Sequence, residues 1–154
     1  MITFVKITEP KKKSEVCESV LRSLPQWFGI ESAIIHYISD VQKMQTWAVY
    51  DGDLPIGFAS VNQHFPTSAE LHVMGIIQKY HRRGIGHQLL KMIEDELRQQ
   101  GLRYLTVKTL SESRPNTEYD QTRSFYLRMD FVPLEELKTL WEEGNPCLFL
   151  VKAL

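Results

Sequence analysis

Hydrophobic and polar positions divide this chain into short segments of two alternating rhythms. Ile2 to Ile7 alternates and is rich in β-branched residues, the pattern of a first strand, and Pro10 breaks it. Between Lys12 and Leu24, the residues Val16, Val20, Leu21 and Leu24 form a helical stripe that Pro25 stops. Gln26-Trp27-Phe28-Gly29 reads as a linker. Ile30 to Met44, with Ile34, Tyr37, Ile38 and Val41 on one side, reads as a second helix. Strand patterns return at Trp47 to Tyr50 and Ile56 to Val61, flanking Asp51-Gly52-Asp53-Leu54-Pro55, and an Asp-Gly step between apolar runs signals a hairpin. Phe65-Pro66-Thr67-Ser68 reverses the chain again before Ala69 to Ile77, which completes a three-strand antiparallel meander.

The stretch from Met74 to Leu90 then runs from strand through a basic, glycine-bearing turn into a helix, where Ile85, Leu89, Met92, Ile93 and Leu97 keep helical spacing. Gly101 is a helix stop, and Leu102 to Leu110 is the next strand, parallel to its predecessor because a helix crosses over between them. Ser111 to Glu118 is a polar loop. A helix from Tyr119 to Met129 follows, with Thr122, Phe125 and Met129 on one side. A strand beginning at Phe131 to Leu134 comes next, then a Trp141-containing connection from Lys138 to Gly144, and a last strand from Cys147 to Val151. The pattern predicts an α+β fold: a mixed, mostly antiparallel central sheet flanked by about four helices. Residues 1–154 are expected to form a single domain.

Composition narrows the function classes. With 154 residues, 43% of them hydrophobic, the chain can bury a substantial core. Its net charge of −1 supplies no field toward nucleic acid or anionic lipid, and Lys11-Lys12-Lys13 reads as a solvated helix start. The beginning of the chain lacks an apolar leader and no apolar run approaches membrane-spanning length, so a cytoplasmic protein without membrane or nucleic-acid partners is expected. Cys17 and Cys147 are far apart and read as reduced, buried thiols. His36, His64, His72, His81 and His87 lack metal-site spacing, so no metal is expected.

The turn at Arg82-Arg83-Gly84-Ile85-Gly86 is the strongest chemical signal. N–H groups in a helix's first turn have no intrahelical acceptor and carry partial positive charge, and glycines let an anion approach them. Flanking arginines favour phosphate. No Walker pattern is present, and a dinucleotide fingerprint would require a glycine at Leu89.

These residues resemble a known family. His81 to Gly86 is similar to the acetyl-CoA loop of the GNAT N-acyltransferases, with His81 standing where Gln or Arg is usual. Tyr119 to Phe131 resembles that family's later helix, although Tyr119, Thr122 and Asp130 replace its usual Asn, Ala and Gly. The resemblance implies a GNAT fold and acetyl-CoA as cosubstrate. It implies a pyrophosphate cradle from His81, Arg82, Arg83, Gly84, Ile85, Gly86 and His87, and pantetheine bound as an added strand along Met74, Gly75 and Ile76. The two N-terminal helices would wall the acceptor pocket.

An amine of pKa near ~10.4 is almost wholly protonated at pH 7, so transfer needs a proton acceptor. Glu70 and His72 alternate toward one face of the strand that ends in Met74 and Ile76, which makes them the candidate bases. Tyr126 matches the tyrosine that often serves the family as general acid, here as a hydrogen-bond donor to the departing thiolate. The implied function is acetyl transfer from acetyl-CoA to a primary amine, with a small molecule favoured as acceptor. Peptide or protein N-acetylation and a non-catalytic acyl-CoA-binding regulator are the alternatives, and monomer and homodimer both stay open.

Overall fold

In the computed structural model, which describes residues 1–154, the two rhythms resolve into seven strands and four helices. In chain order they are β1 (Ile2–Ile7), α1 (Pro10–Arg22), α2 (Glu31–Asp40), β2 (Gln45–Asp51), β3 (Leu54–Phe65), β4 (Ser68–Ile76), α3 (Ile85–Gln99), β5 (Tyr104–Leu110), α4 (Thr117–Arg128), β6 (Val132–Leu137) and β7 (Cys147–Ala153). One sheet holds every strand in the order β1-β2-β3-β4-β5-β7-β6. All neighbours are antiparallel except β4 and β5. This is the mixed α+β architecture expected from the pattern.

Each face of the sheet is covered by the helices whose apolar stripes match it. Ile85, Leu89, Leu90, Ile93 and Leu97 of α3 pack with Leu105, Val107 and Leu150, and Tyr126 of α4 joins the same cluster. Val16, Cys17, Val20 and Leu21 of α1 pack on the other face against Ala48, Phe58 and Val73. Leu89, Leu90, Ile93 and Leu97 are wholly buried, each contributing roughly 1.5–3 kcal/mol of burial. Glu94 is also wholly buried on α3, where both its oxygens accept from Lys152 Nζ of β7 at 2.8 and 3.0 Å.

Element ends follow local chemistry. Pro10, the strand breaker, is also the first residue of α1, where its missing N–H has no consequence. The second helix is shorter than its pattern: it ends at Asp40, and Val41–Lys43 tightens to a single 3-10 turn. Asn116 caps α4 by accepting from Tyr119 N–H at 3.0 Å. Gly101 closes α3 at φ +89°, while Asp130 closes α4 at φ +70°. Phe131 N–H donates to Tyr126 C=O across that second closure.

Two irregularities in β4 position the site. Its pairing with β5 runs from Ser68↔Tyr104 only as far as Leu71↔Val107, although both strands continue, so they separate beyond that pair. On the other side, β3 pairs Val61 with Leu71 but Ser60 with Val73, which leaves His72 as an extra residue. This β-bulge reverses the alternation. Leu71 lies in the α3 cluster, whereas Val73, two residues on, lies in the α1 cluster. The simple period of two across this strand therefore fails: Met74 and Ile76 pack toward α3, and His72 points to α2 through Asp40.

Candidate active site

The gap between β4 and β5 opens into a cleft of about 1560 Å³, lined by the α1–α2 linker, α2, the end of β4, the loop before α3, β5 and α4. Three groups of residues define what it can bind.

The first is the loop. Arg82 has φ +61° and Gly84 φ +76°, and this left-handed backbone folds the turn into a concave row of amides. The N–H groups of Arg82 through His87 find no acceptor within the chain, and no side chain caps α3. Unpaired N–H groups at a helix N-terminus suit an anion. A Cβ at Gly84 would meet nothing, so glycine is needed there for its conformation. At Gly86 it would lie 3.2 Å from Phe125 Cε1, so there glycine is needed for space. Arg82 lines the cleft, but Arg83 does not: its guanidinium stacks over Tyr80, 5.2 Å from the ring centroid. His81 turns inward, where its Nε2–H donates to Ile76 C=O at 2.6 Å and its ring meets Trp27 edge-on at 5.5 Å.

The second is the free edge of β4. Ile77 N–H donates to Ile56 C=O at 2.8 Å. By the alternation of an antiparallel ladder, Gly75 bonds toward β3, while Met74 turns its N–H and C=O and Ile76 its N–H into the gap, the Ile76 C=O being taken by His81. An extended chain bearing amides could pair there as an additional strand. Gly75 answers a different need, because a Cβ would lie 3.1 Å from Leu24 Cδ1 and 3.2 Å from Val20 Cγ1 where α1 presses on the sheet.

The third is the set of titratable side chains. Tyr126 is buried, makes no hydrogen bond within the chain, and lines the cleft between the Phe125 and Phe131 rings. Burial, followed by the nearby Tyr119 and Tyr37, pushes its phenol well above the ordinary range, which holds it protonated. His72 lines the cleft with Nε2 at 3.1 Å from Asp40 Oδ2 and its ring edge-on to Tyr37. Nε2–H donating to that carboxylate leaves Nδ1 with the lone pair. Glu70 is not in the lining. One of its oxygens meets His64 Nε2 at 3.0 Å and the other accepts from Lys108 Nζ at 3.1 Å.

Sequence reading left out a clamp across the cleft. Tyr119 donates its hydroxyl to Trp27 C=O at 2.7 Å, and Trp27 Nε1 donates to Glu118 C=O and Thr122 Oγ1 at 3.1 and 3.2 Å. The α1–α2 linker is thereby tied to α4. Burial raises the Tyr119 phenol to about 12. The only sequence signal for this contact is that Tyr119 and Thr122 stand where the resemblance expects Asn and Ala. Leu140, Trp141 and Glu142 of the β6–β7 connection complete the rim, while Glu143 stays outside.

A model of the acetyltransferase (GNAT) family matches residues 14–131. The chain belongs to this family. A mycothiol acetyltransferase from Corynebacterium glutamicum (strain R) is 30% identical over 86 residues, which cover 52% of this chain and 30% of that relative, so the match spans under a third of its length. A GNAT-family structure from Desulfovibrio desulfuricans superposes with a TM-score of 0.84 at 16% identity, covering 99% of both chains. The ribosomal-protein-S18-alanine N-acetyltransferase of Escherichia coli gives 0.78 at 14% identity, covering 99% of this chain and 94% of its own. An aminoglycoside 6'-N-acetyltransferase complexed with coenzyme A gives 0.74 at 17%, covering 99% and 96%. These neighbours share the GNAT fold, and they differ in acceptor by their own descriptions. The GNAT family's acetyl-CoA fits the donor set here, since the orphan N–H groups suit a pyrophosphate and the open edge of β4 suits an amide-bearing arm.

Proposed function

We propose that this protein transfers an acetyl group from acetyl-CoA directly to the primary amine of a small molecule. The supporting observation is that one cleft holds an anion loop, an unpaired strand edge, a protonated phenol and a histidine. Arg82 and the N–H groups from Gly84 to His87 hold the pyrophosphate, and Met74 and Ile76 pair with the pantetheine amides. The thioester is thereby carried to where β4 and β5 part, and the acceptor enters from the α1–α2 side.

His72 Nδ1 takes the proton of the ammonium, the free amine then attacks the thioester carbonyl carbon, and the second proton that its nitrogen sheds leaves with CoA as the thiol. Collapse breaks the C–S bond, and Tyr126 O–H donates a hydrogen bond to the sulfur as negative charge develops. Phenol and thiol reference values near ~10 and ~8.5 make complete proton transfer uphill by about 2 kcal/mol, so the hydrogen bond is the tyrosine's contribution. Both Glu70 oxygens are engaged, one by His64 and the other by Lys108, which itself lines the cleft, so the carboxylate's role is to neutralise that lysine.

Thiol release from acetyl-CoA across a panel of amines and N-terminal peptides tests this. Release with small amines supports the reading, and no release with any acceptor refutes it. A second reading, peptide N-acetylation, is favoured by the exposed apolar rim of Ile30, Leu140 and Trp141, which a peptide could cover. Release confined to peptides would establish that reading instead.

A further inference from the structure

We infer that the Thr109 hydroxyl is the hydrogen-bond donor to the carbonyl oxygen of the acyl thioester, an inference that rests on the acetyl-CoA reading above. Thr109 is 4% exposed and lines the cleft, and its Oγ1 has no hydrogen-bond partner. A buried hydroxyl left unpaired is destabilising, so its persistence on a cleft wall points to a partner that arrives with the ligand. A hydroxyl can donate as well as accept.

Its position selects the ligand atom. Thr109 alternates with Leu105 and Val107, both of the α3 cluster, and pairs across the sheet with Leu148, which packs on the same cluster. Its side chain therefore lies on the face that carries α3, the phosphate loop and Tyr126. Lys108, one residue earlier, faces the opposite way, toward Glu70. Val107 belongs to the last pair that joins β4 to β5. Thr109 stands two residues beyond it, about 7 Å along the strand, within the opening wedge where the acyl end of an inserted arm would stop.

Two hydroxyl donors without partners in the chain, Thr109 and Tyr126, thus face the cosubstrate side of the gap. The thioester presents two acceptors, its carbonyl oxygen and its sulfur. Tyr126 serves the sulfur as it leaves, and Thr109 serves the oxygen, whose negative charge grows when the amine attacks. A donor placed for that charge accelerates the step.

Thr109→Val keeps the shape and removes the hydroxyl, while Thr109→Ser keeps the hydroxyl. Turnover, binding of acetyl-CoA and of free CoA, melting temperature, and the infrared carbonyl band of bound acetyl-CoA are measured for both variants and the parent protein. In the valine variant kcat/KM for acetyl-CoA falls at least about tenfold, the carbonyl band returns toward its solution position, and free CoA binding and melting temperature hold. The serine variant retains most of the activity and the band shift. Equal kcat/KM in parent and valine variant, or an unmoved carbonyl band, overturns the inference. Equal loss of acetyl-CoA and free CoA binding also overturns it, because the contact would then lie outside the acyl group. If the parent protein binds no acetyl-CoA, the underlying reading falls and takes the inference with it, whereas a failure confined to Thr109 leaves that reading intact.

Discussion

Replacing Gly84 by alanine tests whether the strained backbone of the loop is what binds the cosubstrate. The residue sits at φ +76° with open space around its Cβ position, so alanine meets no clash and the whole perturbation is conformational. Holding alanine in the left-handed region costs roughly 1–2 kcal/mol. The reduced freedom of the unfolded chain returns roughly 0.4–1 kcal/mol, leaving a net cost of about 1 kcal/mol. The variant can meet that cost in two ways. It can keep the left-handed turn, in which case stability falls by about 1 kcal/mol, a drop in Tm of about 2–4 °C for a chain of this size, and CoA binds as before. Or it can relax the turn, in which case stability holds and the N–H groups from Arg82 to His87 no longer converge, so CoA binding weakens. Urea unfolding and calorimetric CoA titration of the same variant give both quantities. Their combined loss should be about 1 kcal/mol or more, and a variant with native stability and native CoA affinity would refute the reasoning.

Tyr126→Phe should leave CoA affinity and stability nearly unchanged, because the hydroxyl has no partner in the chain, while lowering turnover at least about tenfold where chemistry is rate-limiting; unchanged turnover removes Tyr126 from the mechanism. Arg82→Glu should weaken CoA binding by about tenfold or more and Arg83→Glu much less, since only Arg82 lines the cleft; equal effects in titration would contradict this placement. Asp130→Gly should raise stability by about 0.5–1 kcal/mol in urea unfolding, because a non-glycine residue holds φ +70° there. Alkaline pH should destabilise the fold, because burial raises Cys17 from 9.0 to about 12. The folded chain then keeps a proton that the unfolded chain releases, and stability present below pH 9 falls by about 1.4 kcal/mol by pH 10. Burial also raises Cys147, to about 11, so Cys17→Ala should roughly halve that limb of the Tm profile rather than remove it.

Much of this architecture is legible in the residue pattern, and for identifiable reasons. The hairpin at Gly52, the phosphate loop and the α3 crossover each combine a periodicity with a residue whose backbone freedom the turn demands. The Phe125-Tyr126 pair stands out only through the family resemblance, since on helix pattern alone Tyr126 could equally be a core residue. His72 and Glu70 show where such reading stops. Strict alternation places both on the face of Met74 and Ile76, but the extra residue in β4 reverses the strand at His72, and no side-chain pattern announces a bulge. The roles of Arg82 and Arg83 also diverge for a reason absent from the pattern: Tyr80, held by its bond to Asp51 at 2.6 Å, offers a ring on which Arg83 stacks.

The bulge also bears on how the two substrates are kept apart. Before His72, β4 is an ordinary interior strand paired on both edges. After it, the β5 edge is free, and Met74 and Ile76 present backbone groups there while their side chains stay in the α3 core. His72 itself, released from the β3 register, turns to Asp40 and Tyr37 on the α2 side. A single inserted residue thus lets one strand turn free main-chain groups toward one side of the cleft and an imidazole toward the other. The loop before α3 likewise presents unpaired N–H groups, and every residue except proline supplies one. Recognition through the backbone constrains sequence only where a conformation or a close approach requires glycine, as at Gly84 and Gly86. That accounts for superposition at a TM-score of 0.84 with 16% identity. It also leaves the rest of the cleft to side chains, Trp27, Tyr119 and Trp141 among those that line it.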